Sequence, residues 1–431
     1  MKLTSRRTRG LVAAAFAVGS IVVPAVAALP ANAATELTFW SWRPEDKAFY
    51  EKQIAVFEAT NPSISIKFTP YVATEYNAIL ATALTAGKGP DLLQLRPYGG
   101  MSALSDAGNF LPLTTKDVPA LAKLAPGILA AAQGYTDKRQ FGVPYAASVM
   151  GIWYNPELFA KAGIRQTPTT FDSFINTLNR LKAAGIQPLA NSSGNPGNGP
   201  GLEQMHATIA PTFYGGNTFY NDLVAGKTTF TNKAYVDGLE AVKTLSKYFP
   251  AGHEGIDYNT ARAMFATGKA AIYIGGNYEL TEFKRVNPSA KIAWFQAPAK
   301  SAGSPKFVTA WGDGSYAINA KTANKAAALK FLNFLASKQF GQSMADEIFT
   351  IPVAPYVKIT DSVVNKINSA RSQFSTPFLN VVGFRFGSPT SSVIIQPGLQ
   401  KLVSGGTTSA ALAKDIQTAV ASWYKPLAGK E

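Results

Sequence analysis

Hydrophobic and polar positions along this chain switch between two periods. Residues 36–42 alternate and are rich in aromatics (Leu37, Phe39, Trp40, Trp42), the two-residue period of a half-buried strand. A helical stretch follows with Phe49, Ile54, Val56 and Phe57. Pro62 stops it, because proline disfavours helix in the residue before it. Residues 63–68 alternate again, 76–85 read as a helix that ends at Gly87, and 91–95 read as a third strand. Strand, helix, strand, helix, strand predicts a mostly parallel sheet with covering helices. Ligands of such sheets sit beyond the carboxyl ends of the strands. Those ends fall here at 40–43, 70–71 and 96–98; all three carry aromatics and two carry an arginine.

A second unit begins near Phe141, with a strand over 149–154 and a helix opened by Asn155 as cap and Pro156 in its first turn. Phe171, Phe174, Ile175, Leu178 and Leu181 are spaced for one buried helical face. Residues 188–190 read as a short strand and 194–201 as a long polar loop. Residues 270–274 read as a strand, and 307–318 as a strand pair turning at 311–314. Helices are expected at 324–336, 361–371, 391–403 and 409–422. No internal repeat is present.

The first 33 residues stand apart. Lys2, Arg6, Arg7 and Arg9 precede an apolar run broken by Gly19, Ser20 and Pro24, and Ala31-Asn32-Ala33 supplies small residues for cleavage. That is the layout of a secretory signal peptide, and the breaks argue against a membrane span. Ser5-Arg6-Arg7 is part of a twin-arginine pattern, but Arg9 stands where that pattern has an apolar residue, so the export route stays open. The chain has no Cys. Disulfides, thiolate metal sites and a lipid anchor through cysteine are therefore excluded, and stability must rest on core burial. Net charge is +15, or +11 without the four basic residues of the leader. Lys and Arg are spread singly rather than clustered, which fits a basic soluble surface and not a nucleic-acid partner.

Catalytic signatures are sparse. A glycosidase needs two carboxylates in one cleft, and nothing in the spacing of Glu75, Glu279 and Asp313 marks such a pair. His206 and His253 are the only histidines and do not complete a metal site. No Gly-x-Ser-x-Gly elbow and no phosphate-binding glycine loop is present. The remaining signal is aromatic. Trp42 precedes Arg43-Pro44, Tyr98 lies between Pro97 and Gly99, and Trp311 precedes Gly-Asp-Gly. Ring faces beside Arg, Asp and Asn suit a sugar, whose C–H faces stack while its hydroxyls bond to polar groups. Two readings follow, an exported sugar-binding receptor and an exported polysaccharide-active enzyme.

Five segments favour the first reading: LTFWSW (37–42), GKGPDLLQL (87–95), FGVPYAASVMGIWYNPELFAKAGI (141–164), AAIYIGGNYEL (270–280) and WGDGSYAINAKTANKAAALKFLNFL (311–335). In this order they resemble the extracellular solute-binding proteins of family 1, the sugar-binding components of ABC importers related to maltose-binding protein. The resemblance implies an α/β, two-lobed, type II periplasmic-binding-protein-like fold. Each lobe would be a mostly parallel sheet flanked by helices, joined by hinge crossovers. Lobe one would comprise 35–144 plus 311–353, and lobe two 145–310 plus 354–431. Trp42, Arg43, Tyr98, Trp311 and Asp313 would line the cleft from lobe one, and Asn277, Tyr278 and Glu279 from lobe two, with Arg385 an additional candidate. It further implies a monomer that performs no chemistry, uses no cofactor or metal, captures an oligosaccharide outside the cytoplasm, and hands it to ABC permease subunits in the membrane. Many relatives from Gram-positive cells are tethered by a lipidated cysteine, which this chain lacks.

Overall fold

The computed structural model describes residues 34–194 and 199–430; the expected leader, 1–33, lies outside the described residues. Among the described residues nine strands are formed: β1 Thr35–Ser41, β2 Ile64–Pro70, β3 Leu92–Leu95, β4 Val143–Tyr154, β5 Ile272–Gly276, β6 Ala293–Phe295, β7 Val308–Ile318, β8 Ile351–Pro352 and β9 Ser375–Pro377. They join along the path β2-β1-β3-β7-β4-β5, with β6 and β8 on β4 and β9 on β7.

The amino-terminal alternation folds as its period dictates. In β1, Leu37 and Phe39 are fully buried, while the alternating Thr38 and Trp40 are half-buried. β1 pairs in parallel with β2 and β3, and β7 closes this group antiparallel to β3. A buried polar chain ties it together: Ser41 Oγ donates to Gln94 Oε1 (2.8 Å), Gln94 Nε2 donates to Tyr50 Oη (2.7 Å), and the hydroxyls of Tyr50 and Tyr316 share a 2.7 Å bond. Every member has a partner, so burying these polar groups is tolerated. The core of this half packs Phe39, Tyr50, Leu92, Phe331 and Phe340.

The other half is built around β4. β5 and β6 flank β4, both antiparallel to it and so parallel to each other, and Leu189 makes an isolated parallel bridge to Ile272. The parallel direction thus holds among β5, β6 and the Leu189 segment, while β4 runs against them. Helix Phe171–Ala183 shows why the covering helices form here: Thr170 and Ser173 make a reciprocal capping box, and Phe174, Leu178 and Leu181 are buried. The core of this half includes Phe174, Leu202, Leu239, Ile272, Leu399 and Ile416.

Two expectations need correction. Residues 308–318 form one continuous strand, not a pair turning at 311–314. Gly314 has φ +68° and Gly312 pairs with Ala147, so the glycines are accommodated within the ladder against β4 without reversing the chain. Of the polar loop at 194–201, residues 195–198 lie outside the described residues, and Gly199–Ile209 is helical.

β4 and β7 are long enough to serve both halves. Near its start β4 pairs with β7, and its last residues pair with β5 and β6. β8 joins at Ala146 and Ala147, which also face Asp313 and Gly312 of β7. The halves therefore meet on a short three-strand waist. No helix among the described residues is long and apolar enough to cross a membrane.

Candidate functional site

A cavity of about 520 Å³ lies beside that waist, within the ~300–1,000 Å³ common for small-molecule sites. One wall comes from the strands: Trp42 and Arg43 follow the tip of β1, Arg96 and Pro97 follow that of β3, and Trp311 and Asp313 come from the interior of β7. The opposite wall comes from helices. Glu203 and Gln204 lie on Gly199–Ile209, Tyr258 and Arg262 on Tyr258–Ala266, and Ser392 and Gln396 on Ser391–Val403, with Tyr278, Phe378 and Arg385 from the connecting segments. Thr390 caps the last of these helices by accepting from Val393 N, which orients Ser392 and Gln396.

The walls touch at the rim. Tyr135 stacks on Phe386 at 4.2 Å between ring centroids, and the backbone at Gly99 lies directly against Arg385. Tyr98, just before Gly99, has φ +53° and donates its N–H to Ala131 O at 2.8 Å. A non-glycine residue in that region stores on the order of 1–3 kcal/mol, and here it turns the chain so that helix Gly99–Asp106 starts at the rim.

Four arginines and three carboxylates line the cavity. Arg43 forms ion pairs with Glu45 (3.6 Å) and with the buried Asp46. Burial opposes the Arg43 charge, but Asp46 and Glu45 outweigh it and hold the guanidinium well above its ordinary range. Arg262 lies 2.8 Å from Glu279, which also accepts from Tyr258 Oη. Burial again opposes the charge, and Glu279 with Tyr258 raises Arg262 above its usual value. Burial pushes the Glu279 carboxyl up, against the pull of Arg262. Glu203 is a buried hub. It accepts from Asn380 Nδ2 (3.1 Å), Ser392 Oγ (2.7 Å) and Gln396 Nε2 (2.7 Å), with Arg385 at 3.7 Å. Asp313 accepts from Ser148 Oγ at 2.5 Å. Burial raises the Tyr258 and Tyr278 phenols, so both stay neutral donors at physiological pH.

The sequence candidates separate into two groups. Trp42, Arg43, Tyr278, Trp311, Asp313 and Arg385 line the cavity. Tyr98 does not: it is buried with Met150, Trp311 and Phe378 beneath the rim, and its neighbours Pro97 and Gly99 reach the space instead. Asn277 is absent from that lining; it accepts from Val149 N at 2.8 Å and borders a separate hollow of about 30 Å³ beside Trp42 and Asp313. Glu279 is sealed, because its pairing with Arg262 and Tyr258 turns its carboxylate into the wall. The tryptophans are also more enclosed than exposed stacking platforms would be. Trp42 is 5 % exposed, with the Arg96 guanidinium 4.2 Å from its ring centre, and Trp311 is 9 % exposed against the Phe378 edge.

Of Glu75, Glu279 and Asp313, only Asp313 lines the cavity. Among the described residues no group of three or more His, Cys, Asp or Glu is placed to hold a metal ion. His206 lies in the core of its half, beside Tyr235, where burial lowers it to about 3. Sequence reasoning missed Glu203, Gln204, Tyr258, Arg262, Phe378, Ser392 and Gln396. Arg96 had a signal, its place at a strand tip; the helical residues had none, since nothing local distinguishes a cavity-facing turn.

The sequence matches the family of bacterial extracellular solute-binding proteins over residues 40–342. It is 25 % identical over 314 residues to a multiple sugar-binding protein of Streptococcus mutans, covering 72 % of this chain and 73 % of that one. A probable sugar-binding periplasmic protein of Mesorhizobium japonicum is 28 % identical over 218 residues, half of each chain. Among solved structures, one from work on xylan utilization by Caldanaerobius polysaccharolyticus superposes with TM-score 0.78 at 23 % identity, covering 89 % of this chain and 99 % of that one. The GacH receptor of Streptomyces glaucescens, studied unliganded and with acarbose, gives 0.72 at 18 %, covering 92 % and 100 %. The fold is the two-lobed type II architecture of these receptors, and the chain belongs to the bacterial extracellular solute-binding proteins.

Proposed function

We propose that this protein is an exported receptor that captures an oligosaccharide between two lobes, 35–144 plus 311–353 and 145–310 plus 354–431, and delivers it to an ABC permease. The observation that carries this reading is the cavity at the waist, with Trp42, Trp311, Tyr258, Tyr278 and Phe378 interleaved with paired arginines and carboxylates. Ring faces accept the apolar C–H surfaces of a sugar, and fixed charged groups exchange hydrogen bonds with its hydroxyls. Sugar binding by its relatives supports the same conclusion.

In this reading the lobes swing about the strands that meet at Ala146 and Ala147. Ligand favours the closed form only by the contacts it gains there, because equal affinity for both forms shifts nothing. The task ends with release at the membrane and uses no catalytic group or cofactor. The test is a melting screen against mono- and oligosaccharides, followed by calorimetric titration. A ligand of the folded state at ~100 times its Kd adds about 2.7 kcal/mol of stability, a plain rise in melting temperature. Failure of every glycan to raise it, or release of new reducing ends during incubation, would overturn the proposal.

A further inference from the structure

The charges lining the cavity are not evenly compensated. Arg43, Arg262 and Arg385 each have a carboxylate within ion-pair distance: Glu45 and Asp46, Glu279, and Glu203. Arg96 does not; among the described residues no carboxylate lies within 4.0 Å of it. Its bonds go to neutral acceptors, from Nη2 to Ala73 O at 2.8 Å and from Nε to Asn77 Oδ1 at 3.4 Å. A guanidinium carries five N–H donors, so about three remain for a ligand. The group is nevertheless well placed, its plane carbon 4.2 Å from the Trp42 ring centre, a cation–π arrangement that restrains it without neutralising it.

The surroundings leave that charge under-served. Burial lowers the Arg96 guanidinium below its ordinary range, and Arg385 adds to the effect, while Asp313 opposes it without prevailing. Arg43 and Arg262 shift the other way because their carboxylates touch them. Nor does Glu203 help: it is held on the opposite wall by Asn380, Ser392, Gln396 and Arg385. Asp313 keeps its bond from Ser148 and serves as an acceptor for hydroxyls.

We propose that the cleft takes an acidic oligosaccharide, one sugar of which presents a uronate-type carboxylate to Arg96 beside the face of Trp42. A planar carboxylate matches the planar donor fork of arginine, and a charge-assisted pair inside a cavity is stronger than a bond to a neutral hydroxyl. This deepens the sugar-binding reading above and rests on it.

The experiment titrates the full exported chain with uronic-acid trimers (galacturonate, glucuronate, mannuronate and guluronate), each paired with its carboxyl-reduced neutral counterpart. At least one acidic trimer should bind about 10- to 100-fold more tightly than its reduced form, the range of a hydrogen-bonded charge. Arg96→Gln should erase that ratio, and Arg96→Lys should keep part of it, with melting curves recorded for both. Should Arg96→Gln fail to fold, the lysine variant decides, since it retains charge and loses the fork. If reduced trimers bind as well as acidic ones, or the preference persists unchanged in the variants, Arg96 does not read a carboxylate, and sugar binding still stands. If no trimer, acidic or neutral, binds and a wider glycan screen also fails, the sugar-binding reading falls and takes this inference with it.

Discussion

A single methyl group on Gly99 tests whether closure of the cleft is what binding requires. A Cβ at this position would stand 2.0 Å from Arg385 O, 2.2 Å from the same carbonyl carbon and 2.6 Å from Phe386 N. Real Cβ contacts essentially never fall below 3.0 Å. The obstructing atoms are backbone, so no side chain can rotate away, and the two walls must part locally by about 1 Å or more. Overpacking of this kind costs ~1–3 kcal/mol. Gly99 is not among the positive-φ glycines, so alanine suits its backbone, and in the proposed mechanism the cost falls on the contact between the walls. Charged to binding, that is about a 5- to 150-fold loss of affinity. Calorimetric titration of Gly99→Ala with the best glycan of the melting screen measures the loss, and small-angle scattering measures the liganded radius of gyration, which should rise. The melting temperature of the ligand-free variant should stay near that of the parent. Full affinity with an unchanged liganded radius would refute the reasoning.

Three further outcomes follow from the same geometry. Trp42→Ala and Trp311→Ala should each weaken glycan binding by ~1–3 kcal/mol in titration, and unchanged affinity in both would remove them from the site. Glu203→Ala should lower stability by ~3 kcal/mol in urea unfolding, because Asn380, Ser392, Gln396 and Arg385 lose a shared buried acceptor; a loss within a few tenths of a kcal/mol would show the hub to be dispensable. His206 is held neutral by burial at about 3, so the unfolded chain binds its proton first as pH falls. Stability should therefore be full above about pH 6.5 and decline toward pH 3, by up to ~4 kcal/mol from this group, and His206→Gln should flatten that slope in pH-dependent unfolding.

Much of the architecture was legible because it is written in local periods. Alternation in β1 and β2, the helix Tyr76–Thr85 and the capped helix Phe171–Ala183 depend on residues a few positions apart. The strand tip after β1 was legible for the same reason, which is why Trp42 and Arg43 were singled out; Trp311 and Asp313 were singled out on an expected turn that is the interior of β7. The helical wall was not. Glu203 meets Asn380 across 177 positions and Gln396 across 193, separations that no sequence window contains. Burial state was equally hidden: Glu279 and Tyr278 are neighbours in a motif, yet one is sealed against Arg262 and the other faces the cavity.

Sequence alone thus determined the class of fold, the absence of cysteine chemistry and the strand-end aromatics, since each is set by residue type and short-range spacing. Tertiary structure decided which charges are spent on one another and which remain for a ligand. That outcome depends on distances of a few ångströms between segments far apart in the chain, and on the low-dielectric cavity in which an unpaired charge such as that of Arg96 matters most.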